Sequence, residues 1–399
     1  MSEVKFELRK LGDLIEIYNN KRVPLSAKQR EGLEKIYPYY GAQGIVDYVD
    51  DYIFDGKYIL IAEDGENLKS NNKSICTLAT GKYWVNNHAH IIKGNDETNT
   101  DFLYYKLNSI NFAPYITGSA QPKLNKENLL NIEIYIPSRG YQDKIAKVLT
   151  LLDNKIQINN QINQELEVMA KTLYDYWFVQ FDFPDQNGKP YKSSGEKMVY
   201  NTELKREIPE EWGVEKLDSL LKIGKETTNP MKFPNEEFKY YSIPEFDTTG
   251  TYSLERGESI KSNKFKVEKN DLLVSKLNPW FNRVIYNLEE NAISSTEFIV
   301  WKTFNRFEKN FLYQVATGKE FIEYCTRFAT GTSNSHKRVS PDIMIGFQIP
   351  FEKTYIQKFG EIIDSIRTQV LQNNKQNQEL TQLRDWLLPM LMNGQVKVE

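Results

Sequence analysis

The feature that most constrains this chain is a long stretch that occurs twice. Residues 141–177 align without a gap with residues 355–391, at an offset of 214 residues. Asn-Gln-Glu-Leu stands at 163–166 in the first copy and at 377–380 in the second. Such self-similarity has to be read before any local pattern, because it decides the architecture. Two copies with so long a period argue against a solenoid. They predict a duplicated unit of one domain and one long helix.

Both copies carry a heptad pattern, in which steps of four and three residues alternate. That 3.5-residue spacing is typical of a coiled-coil seam. In the first copy the seam consists of Ile145, Leu149, Leu152, Ile156, Asn159, Asn163, Leu166, Ala170, Leu173 and Trp177. In the second copy it consists of Phe359, Ile363, Ile366, Val370, Asn373, Asn377, Leu380, Arg384, Leu387 and Leu391.

Asparagine occupies two steps in the middle of each seam, at Asn159, Asn163, Asn373 and Asn377. An Asn at a core position costs stability but fixes register and partner orientation, so we assign these four residues to the coiled-coil register. Antiparallel pairing would bring them into one layer, as parallel pairing also would. We favour antiparallel pairing because residues 178–354 must return the chain. The alternative is that each helix packs on its own domain.

The remaining sequence predicts an α+β fold, with two pseudo-symmetric mixed α/β domains separated by two long helices that form an antiparallel coiled coil. The domains resemble each other at their ends, where residues 9–17 correspond to 215–223, but diverge in the middle. Shared ends with different middles suggest one scaffold carrying two recognition surfaces. The predicted boundaries are a first domain at 1–140, a helix at 141–180, a polar linker with little core at 181–207, a second domain at 208–352, and a helix with tail at 353–399.

Composition restricts the cellular setting and the partners. The 51 Lys and Arg against 54 Asp and Glu give a net charge of −3, so any DNA contact must come from local basic clusters. Cys76 and Cys325 are the only cysteines and lie far apart, which indicates a reducing cytoplasm. The start of the chain lacks a signal-peptide pattern, and no apolar run is long enough for a membrane span. We therefore expect a cytoplasmic protein.

Catalytic and cofactor motifs are missing from the sequence. It contains neither a phosphate-binding G-x-x-x-x-G-K-[ST] nor a dinucleotide-binding G-x-G-x-x-G. Residues 277–281 resemble the Asn-Pro-Pro-aromatic loop of amino-methyltransferases, but the second Pro is absent. His88, His90 and His336 lack the spacing of zinc ligands. We therefore expect a non-catalytic chain without metal or cofactor, and reject a stand-alone methyltransferase or nuclease.

Polar and basic loop residues are the candidates for contacts with DNA. Asn and Gln can bind adenine, Arg and Lys can bind guanine, and Ser and Thr suit phosphates. Two loops at corresponding positions are the strongest candidates, with Ser119, Gln121 and Lys123 in the earlier domain and Thr332, Asn334, Ser335, His336, Lys337 and Arg338 in the later domain. Further candidates outside these loops are Lys21, Arg22, Asn87 and His88 in the earlier domain and Lys276, Asn278 and Arg283 in the later domain.

Several of these features together resemble one family. They are the Lys-Leu-x-x-Leu openings at Lys10 and Lys216, the Thr-Gly loops, the two heptad helices, and the run from Phe181-Asp-Phe-Pro to Ile208-Pro-Glu-Glu-Trp. End to end, the chain resembles the specificity subunit of a type I restriction–modification system.

The resemblance implies a sequence-specific DNA-binding subunit in which each target-recognition domain reads one half of a bipartite site. It also implies that two methyltransferase subunits dock on the helices and that restriction subunits join through them. S-adenosylmethionine, ATP and Mg²⁺ are then expected only in those partners, which carry the catalysis. We expect docking on the outer helix faces, at apolar positions such as Val148, Met169, Ile362 and Leu383. The alternative is a non-catalytic coiled-coil adaptor that scaffolds other proteins without binding DNA.

Overall fold

The computed structural model describes residues 4–42, 44–64, 68, 75–118, 122–331 and 336–398. The chain divides into two compact units. The first unit consists of residues Met1–Asn160 and Asn374–Glu399, and the second unit of Gln161–Asn373. Both divisions fall inside the long helices, so each long helix contributes residues to both units.

The first unit contains short strands followed by helices. Its strands are β1 (Glu7–Lys10), β2 (Ile15–Ile17), β3 (Tyr37–Gly41), β4 (Gly44–Val49), β5 (Phe54–Asp55), β6 (Tyr58–Ala62), β7 (Cys76–Ala79), β8 (Lys82–Val85), β9 (Ala89–Gly94) and β10 (Glu133–Ile136). Its helices are α1 (Ala27–Arg30), α2 (Thr100–Asn108), α3 (Lys126–Leu130) and the beginning of α4 (Arg139–Tyr174).

Two sheets and a strand pair organise the first unit. One sheet has the antiparallel order β2-β9-β6-β7, and the other has the order β4-β3-β8-β5 with β3 and β8 parallel. The alternating side chains of β6 explain how they stack: Ile59 and Ile61 face a core formed with the helices, while Leu60 faces the core shared with the second sheet. The pair β1-β10 joins the start of the domain to the start of α4.

The second unit is built from the following elements. Its strands are β11 (Met198–Asn201), β12 (Arg206–Pro209), β13 (Gly213–Lys216), β14 (Leu221–Gly224), β15 (Thr227–Thr228), β16 (Glu237–Tyr241), β17 (Ser253–Arg256), β18 (Lys264–Val267), β19 (Leu272–Ser275), β20 (Val284–Tyr286), β21 (Ala292–Ser294), β22 (Phe298–Thr303) and β23 (Gln348–Phe351). Its helices are α5 (Ile243–Thr249), α6 (Arg306–Thr317), α7 (Lys319–Phe328), α8 (Pro341–Ile345) and the beginning of α9 (Lys353–Met392).

The second unit repeats the topology of the first. The order β14-β22-β19-β20 matches β2-β9-β6-β7, and β17-β16-β21-β18-β15 matches β4-β3-β8-β5 with one added strand. Here too the second sheet contains one parallel pair, β16 with β21. The middles of the two domains, which diverge in sequence, therefore share one fold.

The prediction that residues 181–207 form a linker with little core is corrected by the structure, because part of this segment is buried. Phe181 and Phe183 are 1% exposed and belong to the main core of the second unit. The ring of Phe183 stacks on Trp212 at 4.9 Å, and Asp182 accepts hydrogen bonds from the backbone N–H and hydroxyl of Ser193. The polar, turn-rich composition of 181–207 conceals these aromatic anchors, which bind the segment to the domain that follows.

Within the first unit, α4 and α9 pair antiparallel. The Asn159 amide donates to Asn377 Oδ1 at 2.8 Å, and Arg384 donates to Asp153 Oδ1 at 2.8 Å, so residue numbers rise along one helix as they fall along the other. Asp153 also accepts a hydrogen bond from the Tyr105 hydroxyl. A polar network thus ties the pair to α2.

Within the second unit, the same two helices also pair antiparallel. The Asn373 amide donates to Asn163 Oδ1 at 2.8 Å. Arg367 forms two hydrogen bonds with the Glu167 carboxylate, and its guanidinium lies 4.0 Å from the ring centroid of Tyr313. The α+β class and the antiparallel helix pair predicted from the sequence are confirmed. No helix in the described ranges is long and apolar enough to cross a membrane.

Candidate nucleic-acid interface

A small bridge closes the polar loop in the first unit. Thr117 and Lys123 exchange both backbone hydrogen bonds, at 2.9 and 2.8 Å, and Lys123 also forms a β-bridge with Asp64. Gly118 has a φ of 88°, which favours glycine because a Cβ is disfavoured in this region. The loop therefore leaves and returns at one point, beside the end of β6.

A carboxylate at that point gathers the nearby cations. Glu63 Oε2 accepts a hydrogen bond from Arg22 at 2.7 Å, and Glu63 Oε1 lies 3.3 Å from the Lys123 ammonium. Burial raises the pKa of Glu63, but Arg22, His90 and Lys123 outweigh it and hold that pKa below its usual range. Arg22 also donates to the carbonyls of Asn87 and Ala89. Its guanidinium is thus part of the scaffold.

The histidines of the first unit differ in their surroundings. His88 is half-exposed and lies 2.9 Å from Asp64 Oδ2. His90 is buried between Asn19, at 2.8 Å, and the Leu124 carbonyl, at 2.7 Å. Burial lowers the pKa of His90, and its two ring hydrogen bonds make it part of the scaffold. His88 is therefore the histidine available to a ligand.

The second unit closes its loop in the same way. Thr330 and Arg338 exchange both backbone hydrogen bonds at 2.8 Å, and Arg338 also bridges to Leu277, just after β19. The Arg338 guanidinium donates to both carboxylate oxygens of Glu297, at 2.9 and 3.0 Å. Such a two-pronged ion pair fixes the orientation of the guanidinium. The loop sits beside the end of β19, as its counterpart sits beside β6.

The other candidates of the second unit converge on this bridge. Asn278 donates its backbone N–H to the Lys337 carbonyl at 2.7 Å, and its side chain accepts the Lys337 N–H at 2.9 Å. Arg283 forms two hydrogen bonds with Asp247, at 2.6 and 2.7 Å, which lowers the pKa of that carboxyl. Lys276 is half-buried on the same segment and pairs its backbone with Glu297.

The structure thus brings most described candidates into one group in each unit. Arg22, Asn87, His88 and Lys123 surround Glu63 and Asp64, whereas Lys21 packs over the Tyr18 ring. Five candidates of the second unit meet around Leu277, and His336 is exposed on their loop. The remaining candidates lie outside the described residues: Ser119, Gln121, Thr332, Asn334 and Ser335.

The prediction from sequence missed the acidic residues that hold these cations. Glu63 and Asp64 directly follow the buried strand β6, and Glu297 directly precedes β22. The sequence signal that could have identified Glu63, Asp64 and Glu297 is a carboxylate at the end of a strand next to a basic loop. Asp247, which lies in α5, had no such signal because its contact with Arg283 is made only by the fold.

The outer faces of the long helices carry exposed apolar side chains. Met169, Ile362 and Leu383 are 57%, 46% and 43% exposed. Val148, the fourth predicted position, is less exposed than these three because it is half-buried against the core of the first unit.

Comparison with known proteins relates the chain to one family. Residues 3–168 match the type I restriction modification DNA specificity domain. A putative type I restriction enzyme specificity subunit of Haemophilus influenzae is 40% identical over 146 residues, which span 37% of this chain and only 37% of that relative. A type I restriction enzyme specificity subunit of Methanocaldococcus jannaschii is 27% identical over 322 residues, 75% of this chain and 70% of the relative.

A solved structure shares the fold. The crystal structure of a type I restriction–modification S subunit from M. genitalium aligns with a TM-score of 0.61 and 16% identity, covering 98% of this chain and 97% of that one. Residues 3–168 thus match a type I restriction–modification DNA specificity domain, and most of the chain is similar to type I restriction enzyme specificity subunits.

Proposed function

We propose that the chain reads a bipartite DNA sequence, one half with the loop surface of each unit. The observation that carries this proposal is the repeated loop closure. Thr117 with Lys123 and Thr330 with Arg338 form the same two-hydrogen-bond bridge at the same place in the same topology, yet the residues around them differ. A constant frame with different side chains suits two readers of different sequences.

The charged side chains of these surfaces support two kinds of DNA contact, one with base edges and one with phosphates. Glu297 holds Arg338 in a fixed orientation, as a reader of base edges requires, whereas the Lys123 side chain beside Glu63 is 54% exposed and can meet a phosphate. Lys276 and Lys337 form no ion pair with any residue that the structure describes, so their ammonium groups can meet phosphates.

We further propose that the helix pair sets the spacing of the two half-sites and docks two methyltransferase subunits, through which restriction subunits join. Met169, Ile362 and Leu383 support docking because exposed apolar side chains on a helix suit a protein partner. The partners would carry out adenine methylation and DNA cleavage and would bind S-adenosylmethionine, ATP and Mg²⁺. The whole assembly would act in the cytoplasm.

The experiment uses the chain co-purified with its methyltransferase subunit. Methylome sequencing of the host, with and without this gene, first identifies the sequence. Gel shifts then compare the intact duplex with duplexes in which one half or the other is scrambled. We expect retardation of the intact duplex only. Equal retardation of all duplexes, or none, would support the adaptor that does not read DNA.

Two lysine substitutions test which unit of the protein reads which half of the DNA site. We expect Lys123→Gln to weaken binding through the first unit and Lys337→Gln through the second, with Lys197→Gln as the control, since Lys197 is exposed and paired with Glu210 away from both loops. Each phosphate contact that is lost should reduce the slope of log affinity against log salt by about one. A control that weakens binding equally would contradict the assignment.

A further inference from the structure

Two exposed aromatic side chains form a tip beside the loop bridge of the second unit. Trp280 and Phe281 are 38% and 57% exposed and lie in the short turn Pro279–Phe281. Their ring centroids are 6.0 Å apart. Neither ring belongs to a hydrophobic core cluster of the described residues. Adjacent aromatic rings left in water are costly, and such rings commonly mark a binding surface.

The backbone holds this aromatic tip in a rigid and unusual conformation. Asn278 and Asn282, which flank it, both have left-handed backbones, with φ of 48° and 50°. Left-handed residues other than Gly cost free energy and persist only where the surroundings enforce them. Here Asn278 is 7% exposed and is bonded through its backbone and its side chain to Lys337.

A cation supports the tip from beneath. The Arg283 guanidinium lies 4.5 Å from the centroid of the Phe281 ring and is itself anchored by two hydrogen bonds to Asp247. A ring that packs on an anchored guanidinium loses little freedom when a ligand binds. The aromatic tip is therefore organised before it meets a partner.

The charge around the tip indicates which partner. The cations joined to this segment are Lys276, Arg283, Lys337 and Arg338, and the carboxylates are Asp247 and Glu297. Four positive charges against two negative ones leave an excess of two among the described residues. Apolar rings within a positive surround suit a DNA duplex, whose base edges are partly apolar and whose backbone is anionic.

Among the described residues, the side chains at the corresponding strand end of the first unit are polar. Lys123 bridges to Asp64 where Arg338 bridges to Leu277, and the side chains there are Glu63, Asp64 and His88. The sequence between β6 and β7, residues 63–75, contains no aromatic residue, so the aromatic tip belongs to the second unit and not to the shared scaffold.

We propose that Trp280 and Phe281 make direct apolar contacts with base pairs of the half-site read by the second unit. This inference rests on the proposed reading of a bipartite sequence and adds the residues that discriminate through apolar contact. Its signature is a loss of specific affinity that does not depend on salt, because the rings neutralise no phosphate.

The test measures affinity for the intact bipartite duplex by fluorescence anisotropy at several salt concentrations, on the chain co-purified with its methyltransferase subunit. Trp280→Ala, Phe281→Ala and the double variant are compared with Phe304→Ala, whose ring is 58% exposed at the opposite end of β22. We expect the double variant to lose about tenfold or more in specific affinity with an unchanged salt slope. Phe304→Ala should match the wild type.

The outcomes separate this inference from the proposed function. If the wild-type complex shows no preference for the bipartite duplex, both are overturned. If the wild type shows that preference and the double variant keeps its affinity, only the aromatic contact is overturned. A loss equal to that of Phe304→Ala, or one that also affects scrambled DNA, would overturn it as well. The single variants provide the same test if the double variant folds poorly.

Discussion

In the first unit, Lys123 closes the loop and lies against Glu63, while in the second unit Arg338 closes the loop and forms two hydrogen bonds with Glu297. The strand orders around them are the same. The described residues of the first surface are polar and include Asp64 and His88, whereas the second surface carries the exposed rings of Trp280 and Phe281. The same strand topology therefore supports two surfaces with different side-chain chemistry.

The helix pair shows a second difference between the units. In the first unit, Asp153 and Arg384 have side chains that are 32% and 30% exposed. In the second unit, Arg367 is only 4% exposed while its partner Glu167 is 37% exposed. One ion pair is therefore open to water on both sides, whereas the other buries its cation. The stability of the second unit should depend more strongly on its ion pair.

The largest effect is expected when the Arg367–Glu167 ion pair of the second unit is broken. Glu167→Gln removes the charge that compensates buried Arg367, and we expect a loss of about 3 kcal/mol in unfolding free energy. Asp153→Asn, its match in the first unit, should cost about 1 kcal/mol or less because water screens that pair. Urea unfolding checks both variants. Equal losses would show that the burial of Arg367 is not the cause.

The next effect concerns helix packing. Gly360 lies where an added Cβ would be 2.4 Å from the Phe307 carbonyl oxygen, so Gly360→Ala should destabilise the second unit by about 2 kcal/mol. The repeat places Ala146 at the corresponding position of the first unit. Gly140→Ala is the control, because nothing lies within 4 Å of its added Cβ. We expect that control to be neutral or slightly stabilising in thermal unfolding. An equally destabilised Gly140→Ala would contradict the steric account.

A third prediction concerns the central asparagines. Replacing Asn159, Asn163, Asn373 and Asn377 together by Leu should raise the unfolding free energy by about 1–2 kcal/mol, since buried amides give way to apolar contacts. The register should loosen at the same time, which would weaken sequence-specific DNA binding. Thermal unfolding and the gel shift measure the two effects. Lower stability with unchanged binding would contradict the role of these residues.

The smallest effect appears as a pH dependence. Burial lowers the pKa of Lys309 to about 6, with Asp271 and Arg367 as its charged neighbours. The unfolded chain then binds more protons between pH 6 and about 10, so stability should rise with pH there, by about 1.4 kcal/mol per pH unit at most. Lys309→Met should reduce this slope between pH 7 and pH 9.

The first unit offers a comparison for this pH dependence. Burial also lowers the pKa of Lys106, which is 6% exposed whereas Lys309 is fully buried. Lys106→Met should therefore reduce the slope less than Lys309→Met does. Urea unfolding at both pH values provides the measurement, and identical slopes in the wild type and Lys309→Met would contradict it.

The sequence predicted best where a local pattern decides the structure. The 3.5-residue period predicted both long helices, which the structure has as α4 and α9, because such a period is a local pattern of the sequence. The heptads also predicted that the two helices pair, and the length of chain between them favoured the antiparallel direction. The burial of Phe181 and Phe183 could not be predicted, since it depends on Trp212, which lies about 30 residues further along the chain.

The candidate site was harder to predict than the fold. The loops and their basic residues could be found because they recur in both halves, but Glu297 and Asp247 lie 41 and 36 residues from the arginines they hold. Arg22 looked like a reader of DNA and is engaged by a carboxylate and backbone carbonyls. The individual base contacts stay predictions.

The central claim is that two readers of DNA are spaced by a helix pair. Its most direct test deletes one paired heptad from both helices, residues 160–166 and 370–376, which retains the Asn159–Asn377 hydrogen bond, and then identifies the methylated sequence in the host. Seven residues correspond to about 10 Å of helix, or about three base pairs at most. We predict unchanged half-sequences separated by a shorter gap. An unchanged gap, or an altered half-sequence, would contradict the account.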